Sequence, residues 1–262
     1  MRNMPKGADT FIQKLAKDAG ALVLKRFGKD GLHYSKSARR SDAVTKADLR
    51  ADKMITTQIK KRYPTHGIIS EESGSFNTDA EYIWVIDPID GTLNFSLGVP
   101  VFGVMICLMH HNKVILSAVN LPALKELFFA KAGKGAYLNG KKIHCSRATF
   151  EHSIGMGPLS MRGRTVRFFR KFIGVAERKR DMMFGSFGSM AVNACFVASG
   201  RRDWMVSLVG QNHDFAPVSL IFKEAGCKVT DLKGRPWKFG TLEMVAANPK
   251  LHKELLKLTK NI

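Results

Sequence analysis

The spacing of apolar residues changes near Pro64, and this change constrains the fold more than any other feature of the chain. Before Pro64, apolar residues recur every three or four positions, which predicts amphipathic helices over residues 11–27 and 47–63. After it, short β-branched segments bounded by turn residues predict strands at residues 67–70 and 82–86. The sequence therefore predicts a mixed α and β fold.

Helix and strand signals also alternate through the rest of the chain. Further strands are predicted at residues 101–109, 114–119, 126–130, 136–138, 204–206 and 244–247. Further helices are predicted at residues 190–199, 214–225 and 251–258. A boundary is expected near residue 147, which divides the chain into an N-terminal α+β sub-domain (1–147) and a C-terminal α/β sub-domain (148–262).

Composition limits the class of protein. The chain has 262 residues, 45% of them hydrophobic, which is enough to fold around a real core. Its longest apolar stretch, residues 99–109, is shorter than the roughly 18 to 20 residues that span a bilayer. No membrane insertion is therefore expected. The four cysteines are scattered along the chain, which predicts reduced thiols in a cytoplasmic protein.

The chain is strongly basic. It has 42 Lys and Arg residues against 22 Asp and Glu, for a formal net charge of +20. Such an excess favours an anionic partner. Nucleic acid, a membrane surface and a phosphorylated substrate all meet that description, and charge alone does not choose among them.

Two carboxylates directly follow a predicted strand. Asp87 and Asp90 lie three positions apart, with Pro88 between them and Gly91 and Thr92 after them. Because proline fixes the backbone, both carboxylates can converge on one point, which the first N–H groups of a short helix also face. Converging carboxylates repel one another unless a cation lies between them, and Mg²⁺ with a phosphate fits this arrangement. The alternative is that both are ordinary loop and helix-capping residues.

Two further acidic positions favour the metal interpretation. Glu71 and Glu72 directly follow the strand predicted at residues 67–70, at the edge of the sheet where α/β proteins bind ligands. Asp214 begins the helix predicted at residues 214–225, and simple helix capping is the alternative for it.

Together these segments resemble the inositol monophosphatase family of lithium-sensitive, magnesium-dependent phosphatases. The resemblance is carried by Ser70-Glu71-Glu72-Ser73, Trp84-Val85-Ile86-Asp87-Pro88-Ile89-Asp90-Gly91-Thr92-Leu93-Asn94-Phe95 and His213-Asp214-Phe215-Ala216-Pro217. Supporting matches lie at residues 42–48, 133–140 and 224–226. The resemblance implies a layered αβαβα sandwich of two sub-domains. It also implies a phosphoric monoester hydrolase that acts on a small phosphorylated metabolite such as an inositol monophosphate.

The resemblance further implies a centre of two to three Mg²⁺ ions. Glu71, Asp87 and the carbonyl of Ile89 are expected to bind the first ion. Asp87, Asp90 and Asp214 are expected to bind the second, and a third would lie near Glu71. These hard oxygen ligands suit Mg²⁺, and paired ions can activate a water molecule and stabilise an in-line phosphoryl transfer.

Catalytic and phosphate-binding roles are implied for the neighbours of these ligands. Thr92 with Asp48, together with Glu71, is expected to position and deprotonate the attacking water. The amides of Gly91 and Thr92 are expected to hold the phosphate beside Asp90. No side chain needs to become covalently attached to the substrate.

The sequence departs from the family at positions that contact substrate. Inositol phosphatases have a glutamate seven residues before Asp214, and Ser207 stands there in this chain. The residue before Asp214, usually aromatic, is His213, for which a structural role is the commoner alternative to a substrate contact. Gly185 replaces a frequent arginine. We therefore expect substrate contacts in the C-terminal sub-domain, Ser207 among them. Histidinol phosphate, fructose 1,6-bisphosphate and adenosine 3′,5′-bisphosphate remain alternative substrates.

A basic RNA-binding or protein-binding member of the family is the rival interpretation. Residues 1–66 contain 16 Lys and Arg against 6 Asp and Glu, and residues 162–181 contain eight against two. Phe168, Phe169 and Phe172 interleave the second segment, but their helical spacing is more typical of core contacts than of base stacking. The resemblance implies a small phosphorylated metabolite and a second copy of the chain, in a homodimer, as partners. The basic segments add weak nucleic-acid contact as a further expectation.

Overall fold

The computed structural model describes residues 4–36, 43–157, 163–179, 182–260 and 262. Parts of the predicted motifs and basic segments lie outside the described residues, including Arg2, Arg39, Arg40, Asp42, Arg162, Arg180 and Asp181.

Seven α-helices lie within the described ranges. They are α1 (Ala8–Arg26), α2 (Lys46–Arg62), α3 (Thr92–Ser96), α4 (Arg164–Lys179), α5 (Met190–Ala198), α6 (Asn212–Glu224) and α7 (Pro249–Thr259). Helix α2 begins at a capping box, in which the Thr45 amide donates to Asp48 Oδ2 at 2.8 Å. This cap stabilises the first turn and fixes the Asp48 side chain against the helix N-terminus.

The described strands form three sheets. A two-stranded sheet contains β1 (Leu32–Ser35) and β2 (Ala43–Thr45). An eight-stranded sheet contains β3 (Gly67–Ser70), β4 (Gly74–Phe76), β5 (Tyr82–Asp90), β6 (Gly103–His110), β7 (Lys113–Leu121), β8 (Glu126–Lys131), β9 (Gly135–Leu138) and β10 (Lys141–Ile143). A five-stranded sheet contains β11 (Ile154–Met156), β12 (Met183–Gly185), β13 (Trp204–Ser207), β14 (Lys228–Thr230) and β15 (Met244–Ala247).

The order of strands places the acidic motifs next to one another. The eight-stranded sheet runs β10-β9-β8-β7-β6-β5-β3-β4, and β3 and β5 pair in parallel while their neighbours pair antiparallel. The carboxyl ends of β3 and β5 therefore meet at one edge of the sheet, which brings Glu71 beside Asp87. The five-stranded sheet runs β12-β11-β13-β15-β14.

Helices and sheets stack in five layers. Helices α1 and α2 cover one face of the eight-stranded sheet, where Ile55 and Trp84 are fully buried in one cluster. Helices α5 and α6 lie between the two large sheets, and their cluster joins Met105, Phe222 and Met205 from the three layers. Helices α4 and α7 cover the outer face of the five-stranded sheet. The expected αβαβα sandwich is thereby confirmed.

The phenylalanines of α4 pack against the five-stranded sheet. Phe168 and Phe172 are buried, and the Phe172 ring lies 5.6 Å from the ring of Trp204. Phe169 packs against Phe184, with ring centroids 4.6 Å apart. These rings are core contacts of the five-stranded sheet, so they do not offer a platform for stacking bases.

The predicted division of the chain near residue 147 falls between the two large sheets. The eight-stranded sheet ends at Ile143, and the five-stranded sheet begins at Ile154. Because α5 and α6 pack against both sheets, the division into two sub-domains stays a prediction. Among the described helices, none combines the length and the apolar character needed to cross a membrane.

Candidate active site

The two aspartates of the central motif converge because strand β5 is irregular there. The strand continues to Asp90, beyond the predicted end at residue 86, and Asp87 pairs with Met105 while Asp90 pairs with Gly103. The register shifts between the two aspartates, so their side chains do not simply alternate across the sheet. One ligand atom from each of Asp87, Asp90 and Asp214 lies within 4.8 Å of the others.

Asp87 lies at the centre of this group. Its side chain is 1% exposed, and its Oδ1 atom is buried without a hydrogen-bond partner in the described part of the chain. Burial raises the pKa of Asp87 well above its ordinary value, and the charges of Glu71, Asp90 and Asp214 raise it further. An ionised carboxylate here is costly unless a cation compensates it.

Asp90 joins the central strand to helix α5. Its Oδ1 accepts from the Met190 amide at 3.0 Å, and its Oδ2 accepts from the Ala191 amide at 2.8 Å and from the Ser189 hydroxyl. Burial raises the pKa of Asp90 to about 7, although the Ser189 hydrogen bond opposes the shift. Asp90 therefore accepts hydrogen bonds at the N-terminus of α5, a helix from another layer. Its carboxylate also belongs to the acidic group.

Asp214 and Glu71 complete the acidic group. Helix α6 begins at Asn212, not at Asp214, and its N-cap is Gln211, so Asp214 is not the N-cap that the sequence left open. It is the third helical residue of a capping box, in which its Oδ2 accepts from the Gln211 amide at 2.6 Å, and it also lies in the carboxylate cluster. Burial raises the pKa of Asp214 to about 6, with a further contribution from Glu71. Capping and cation binding are thus compatible roles for Asp214.

Lys36 and His213 lie near different oxygens of the Glu71 carboxylate. Lys36 Nζ lies 3.1 Å from Glu71 Oε1 and 2.8 Å from Glu72 Oε1, and His213 Nε2 lies 3.7 Å from Glu71 Oε2. Sequence analysis missed Lys36, because nothing near it in the chain marks it as a neighbour of an acid 35 positions away. Burial lowers the pKa of His213, which favours the neutral imidazole.

The hydroxyl of Thr92 lies between two acceptors. Thr92 Oγ1 is 2.7 Å from the Ile89 carbonyl and 3.1 Å from Asp48 Oδ1. Burial raises the pKa of Asp48 to about 7, and hydrogen bonds from Thr45 oppose the shift. A hydroxyl and a carboxylate in contact, with a carboxyl pKa near neutrality, can pass a proton in either direction.

Gly91 permits the close turn between the strand and helix α3. Its φ of 85° lies in the left-handed region, and a Cβ atom there would approach the Val101 carbonyl oxygen to 2.9 Å. Glycine is therefore required at this position. The first amides of α3 have no acceptor within the helix, and Gly91 and Thr92 both line the adjoining cavity.

The cavity beside the carboxylates has a volume of about 690 Å³, which suits a small metabolite. Lys36, Glu71, Asp87, Asp90, Thr92, Asn193, Ser207, His213 and Asp214 are among its lining residues. Ser207 lies in the cavity wall, and its hydroxyl donates to the Val209 carbonyl at 2.9 Å. Ser207 thus lies where the sequence places a substrate contact, but its only hydroxyl proton is already used in the protein.

The donor set fits a hard divalent cation. Glu71, Asp87, Asp90 and Asp214 supply carboxylate oxygens, and Ile89 lines the same cavity. Asp87 Oδ1 is buried without a donor from the described residues. Oxygen-rich groups of this kind suit Mg²⁺.

Comparison with known proteins agrees with this geometry. The sequence model of the inositol monophosphatase family matches residues 6–262. A fructose-1,6-bisphosphatase/inositol-1-monophosphatase of Thermotoga maritima is 34% identical over 253 residues, which cover 96% of this chain and 95% of the relative. The Nus factor SuhB of Escherichia coli K12 is 32% identical over 247 residues, which cover 93% and 92% of the two chains.

Solved structures give the same relationship. The IMPase of Thermotoga maritima has a TM-score of 0.85 at 33% identity and covers 95% of each chain. The extragenic suppressor protein suhB of Bartonella henselae has a TM-score of 0.88 at 27% identity and covers 98% of this chain and 99% of its own. With a family match over nearly the whole chain and relatives of the same fold, the chain belongs to the inositol monophosphatase family.

Proposed function

We propose that the protein is a Mg²⁺-dependent phosphomonoesterase that hydrolyses a small phosphorylated metabolite. The observation that carries the proposal is the buried Asp87 oxygen, which lacks a donor among the described residues and lies amid Glu71, Asp90 and Asp214. A bound cation relieves the repulsion among these buried carboxylates and lets them stay ionised at neutral pH. Membership of a generally metal-dependent family of phosphatases supports the same function.

The proposed ligands divide into overlapping sets. Glu71, Asp87 and the Ile89 carbonyl would hold one ion, and Asp87, Asp90 and Asp214 would hold a second. A third ion would lie near Glu71, which also pairs with Lys36. Bound Mg²⁺ would supply charge stabilisation for the phosphoryl group and lower the pKa of water.

The protein's own residues would move the proton. The Thr92 hydroxyl, in contact with Asp48 Oδ1, would accept the proton of the attacking water while passing its own proton to Asp48. Glu71 would hold the water from its other side. The free amides of Gly91 and Thr92, at the start of α3, would bind the phosphate oxygens.

Ser207 bears on which substrate is bound. A serine that already donates to the Val209 carbonyl cannot replace the charged contact that a glutamate makes to the inositol hydroxyls. We therefore propose a polyol or sugar phosphate of the inositol monophosphate type, without strong selection for inositol. The Thermotoga maritima relative is named for two activities, fructose-1,6-bisphosphatase and inositol-1-monophosphatase, which supports a broad substrate specificity.

A phosphate-release screen tests this proposal. Its substrates are inositol monophosphates, histidinol phosphate, fructose 1,6-bisphosphate and adenosine 3′,5′-bisphosphate, each with Mg²⁺ and with or without Li⁺. We expect inositol monophosphate and fructose 1,6-bisphosphate to be hydrolysed with kcat/KM values within about tenfold of each other, a difference of about 1.4 kcal/mol. Li⁺ should inhibit both reactions. If none of these compounds releases phosphate at saturating Mg²⁺, the proposed function is contradicted.

RNA or transcription-complex binding is a second candidate function. It is favoured by the net charge of +20 and by the relatives named Nus factor SuhB. If the basic surface binds single-stranded RNA through three or more phosphates, affinity should fall about tenfold or more between 50 and 200 mM salt. An electrophoretic mobility shift assay measures this, with Asp87→Asn as the control that should bind RNA as the wild type does. Equal affinity at the two salt concentrations would exclude an electrostatic interaction.

We also propose that the protein is a homodimer, as the family resemblance implies, and that it is cytoplasmic, as the scattered cysteines indicate.

A further inference from the structure

His213 introduces a nitrogen donor at the edge of an otherwise oxygen-rich group. It lies in the first turn of α6, one residue before Asp214, and its side chain is 16% exposed. Its Nε2 atom is 3.7 Å from Glu71 Oε2 and 4.0 Å from Asp214 Oδ1. An imidazole nitrogen therefore lies next to two carboxylates of the acidic group.

The distances are compatible with a shared cation. One ligand atom from each of Glu71, Asp87 and His213 lies within 4.8 Å of the others. Ligands about 2.1 Å from a six-coordinate ion lie about 3.0 Å apart when adjacent and about 4.2 Å apart when opposite. The separation of 3.7 Å between His213 and Glu71 falls inside this range. The 4.8 Å limit on the other separations lies slightly above it, so the three side chains must move closer together to bind one ion.

The neighbouring contacts use the other oxygens of the same carboxylates. Glu71 Oε1 pairs with Lys36, and Oε2 is the Glu71 oxygen that lies near His213 Nε2. Asp214 Oδ2 accepts from the Gln211 amide, and Oδ1 is the Asp214 oxygen that lies near His213 Nε2. One oxygen of each carboxylate therefore lies close to the imidazole nitrogen and takes no part in these two contacts.

We propose that His213 Nε2 is a ligand of the cation that Glu71 and Asp87 bind, and that it shifts the selectivity of this centre toward first-row transition metals such as Mn²⁺. Imidazole nitrogen is a good ligand for these metals, whereas Mg²⁺ strongly prefers oxygen. The centre still accepts Mg²⁺ through its carboxylates. The inference rests on the proposed function for the assignment of Glu71 and Asp87 as ligands.

Mn²⁺ binding to the full chain tests the proposal without reference to turnover. Electron spin echo envelope modulation of the Mn²⁺ complex detects a directly coordinated ¹⁴N nucleus, and titration followed by the signal of free Mn²⁺ gives the Kd. We expect nitrogen coupling in the wild type and its loss in His213→Gln. The variant should bind Mn²⁺ about tenfold more weakly, while its Mg²⁺ affinity, measured by competition, should change by less than about twofold.

The chain offers a matched control for adventitious metal binding. A second histidine and carboxylate cluster, formed by Glu81, His110 and His111, lies at the β6–β7 turn, where His110 Nε2 is 2.7 Å from Glu81 Oε1. The double variant His110→Gln/His111→Gln should keep both the nitrogen coupling and the Mn²⁺ affinity. Loss of the coupling in this double variant, or its persistence in His213→Gln, would overturn the proposal.

Asp87→Asn separates failure of this inference from failure of the proposed function. If Mn²⁺ binds the wild type without nitrogen coupling and Asp87→Asn weakens that binding, His213 is not a ligand but the carboxylate centre stands. If Asp87→Asn binds Mn²⁺ and Mg²⁺ as tightly as the wild type, the carboxylate centre itself is wrong, and the proposed function fails with it.

Discussion

Asp87→Asn is expected to lower phosphate release by at least about a thousandfold at saturating Mg²⁺. Asp87 is the residue shared by both proposed cation sites, and its Oδ1 atom is buried without a donor among the described residues. Asparagine has the same shape but lacks the negative charge, so it fills the site without holding the cation. Initial rates of phosphate release, with Mg²⁺ varied, measure the loss.

The same substitution should preserve the fold and change how stability depends on pH. Burial raises the pKa of Asp90 to about 7 and of Asp214 to about 6, and it raises the pKa of Asp87 well above its ordinary value. At a pH between the ordinary aspartate pKa and these raised values, the folded protein keeps protons that the unfolded chain has released. Lowering the pH through this range therefore stabilises the folded state. That stabilisation is complete below about pH 4, where unfolded aspartate is also protonated, and is lost as the pH rises through about 6 to 7.

The thermal unfolding midpoint in excess chelator therefore gives a second measurement on the variant. Between about pH 5 and pH 8 the Tm of the wild type should fall more steeply than the Tm of Asp87→Asn, because the variant has one fewer buried acid. The other titratable groups affect the Tm of both proteins alike, so the difference between the two Tm curves reports on the buried cluster. Wild-type activity in Asp87→Asn would show that Asp87 does not bind the cation. A steeper fall of the variant's Tm would contradict the raised pKa of Asp87.

Asp48→Asn should lower kcat by about a hundredfold to ten-thousandfold and leave KM nearly unchanged. Asp48 Oδ1 lies 3.1 Å from the Thr92 hydroxyl, and an asparagine there cannot take the proton that the hydroxyl must release. The amide oxygen of asparagine can still accept from the Thr45 amide, so the cap of α2 should survive. The measurement is kcat and KM over a range of pH at saturating Mg²⁺.

The pH profile and a control on the same helix make this test specific. Asp48 must be deprotonated to act as a base. Burial raises the pKa of Asp48 to about 7, and a bound cation would lower this pKa. Activity should therefore rise with pH and level off at or below about pH 7. Asp52, one turn along α2, binds the hydroxyls of Ser70 and Ser73 and does not contact Thr92. Asp52→Asn should keep kcat within about threefold of the wild type. If Asp48→Asn loses no more activity than Asp52→Asn, Asp48 is not the proton acceptor.

Local patterns predicted the long elements and the acidic motif well. The helical spacing before Pro64 corresponds to α1 and α2, and the strand signal before Asp87 corresponds to β5. Periodicity succeeds there because each segment buries one continuous face over many residues. It did not predict β1, β2, β4, β10, β11, β12 or β14, each of which has only three or four residues. Segments that short do not display a period, and the strands of equal length that were predicted, such as β3 and β15, are marked by their apolar composition instead.

The contacts that assemble the site could not be predicted in the same way. Asp90 accepts hydrogen bonds from Met190 and Ala191, about a hundred positions away, and Lys36 pairs with Glu71 across 35 positions. Such pairs depend on how the layers stack, which no local pattern specifies. Ser189 is a good N-cap before an apolar helix, and that signal predicts where α5 begins but not that Asp90 binds there.

The central claim is that the acidic cluster binds Mg²⁺ and that hydrolysis requires it. Its most direct test is phosphate release by chelator-treated protein as Mg²⁺ is titrated back, with the Tm recorded at each concentration. We expect no release in excess chelator, and a rise in both release and Tm over the same range of Mg²⁺ concentration, because ligand that binds only the folded protein stabilises it. Equal phosphate release with and without excess chelator would contradict the claim.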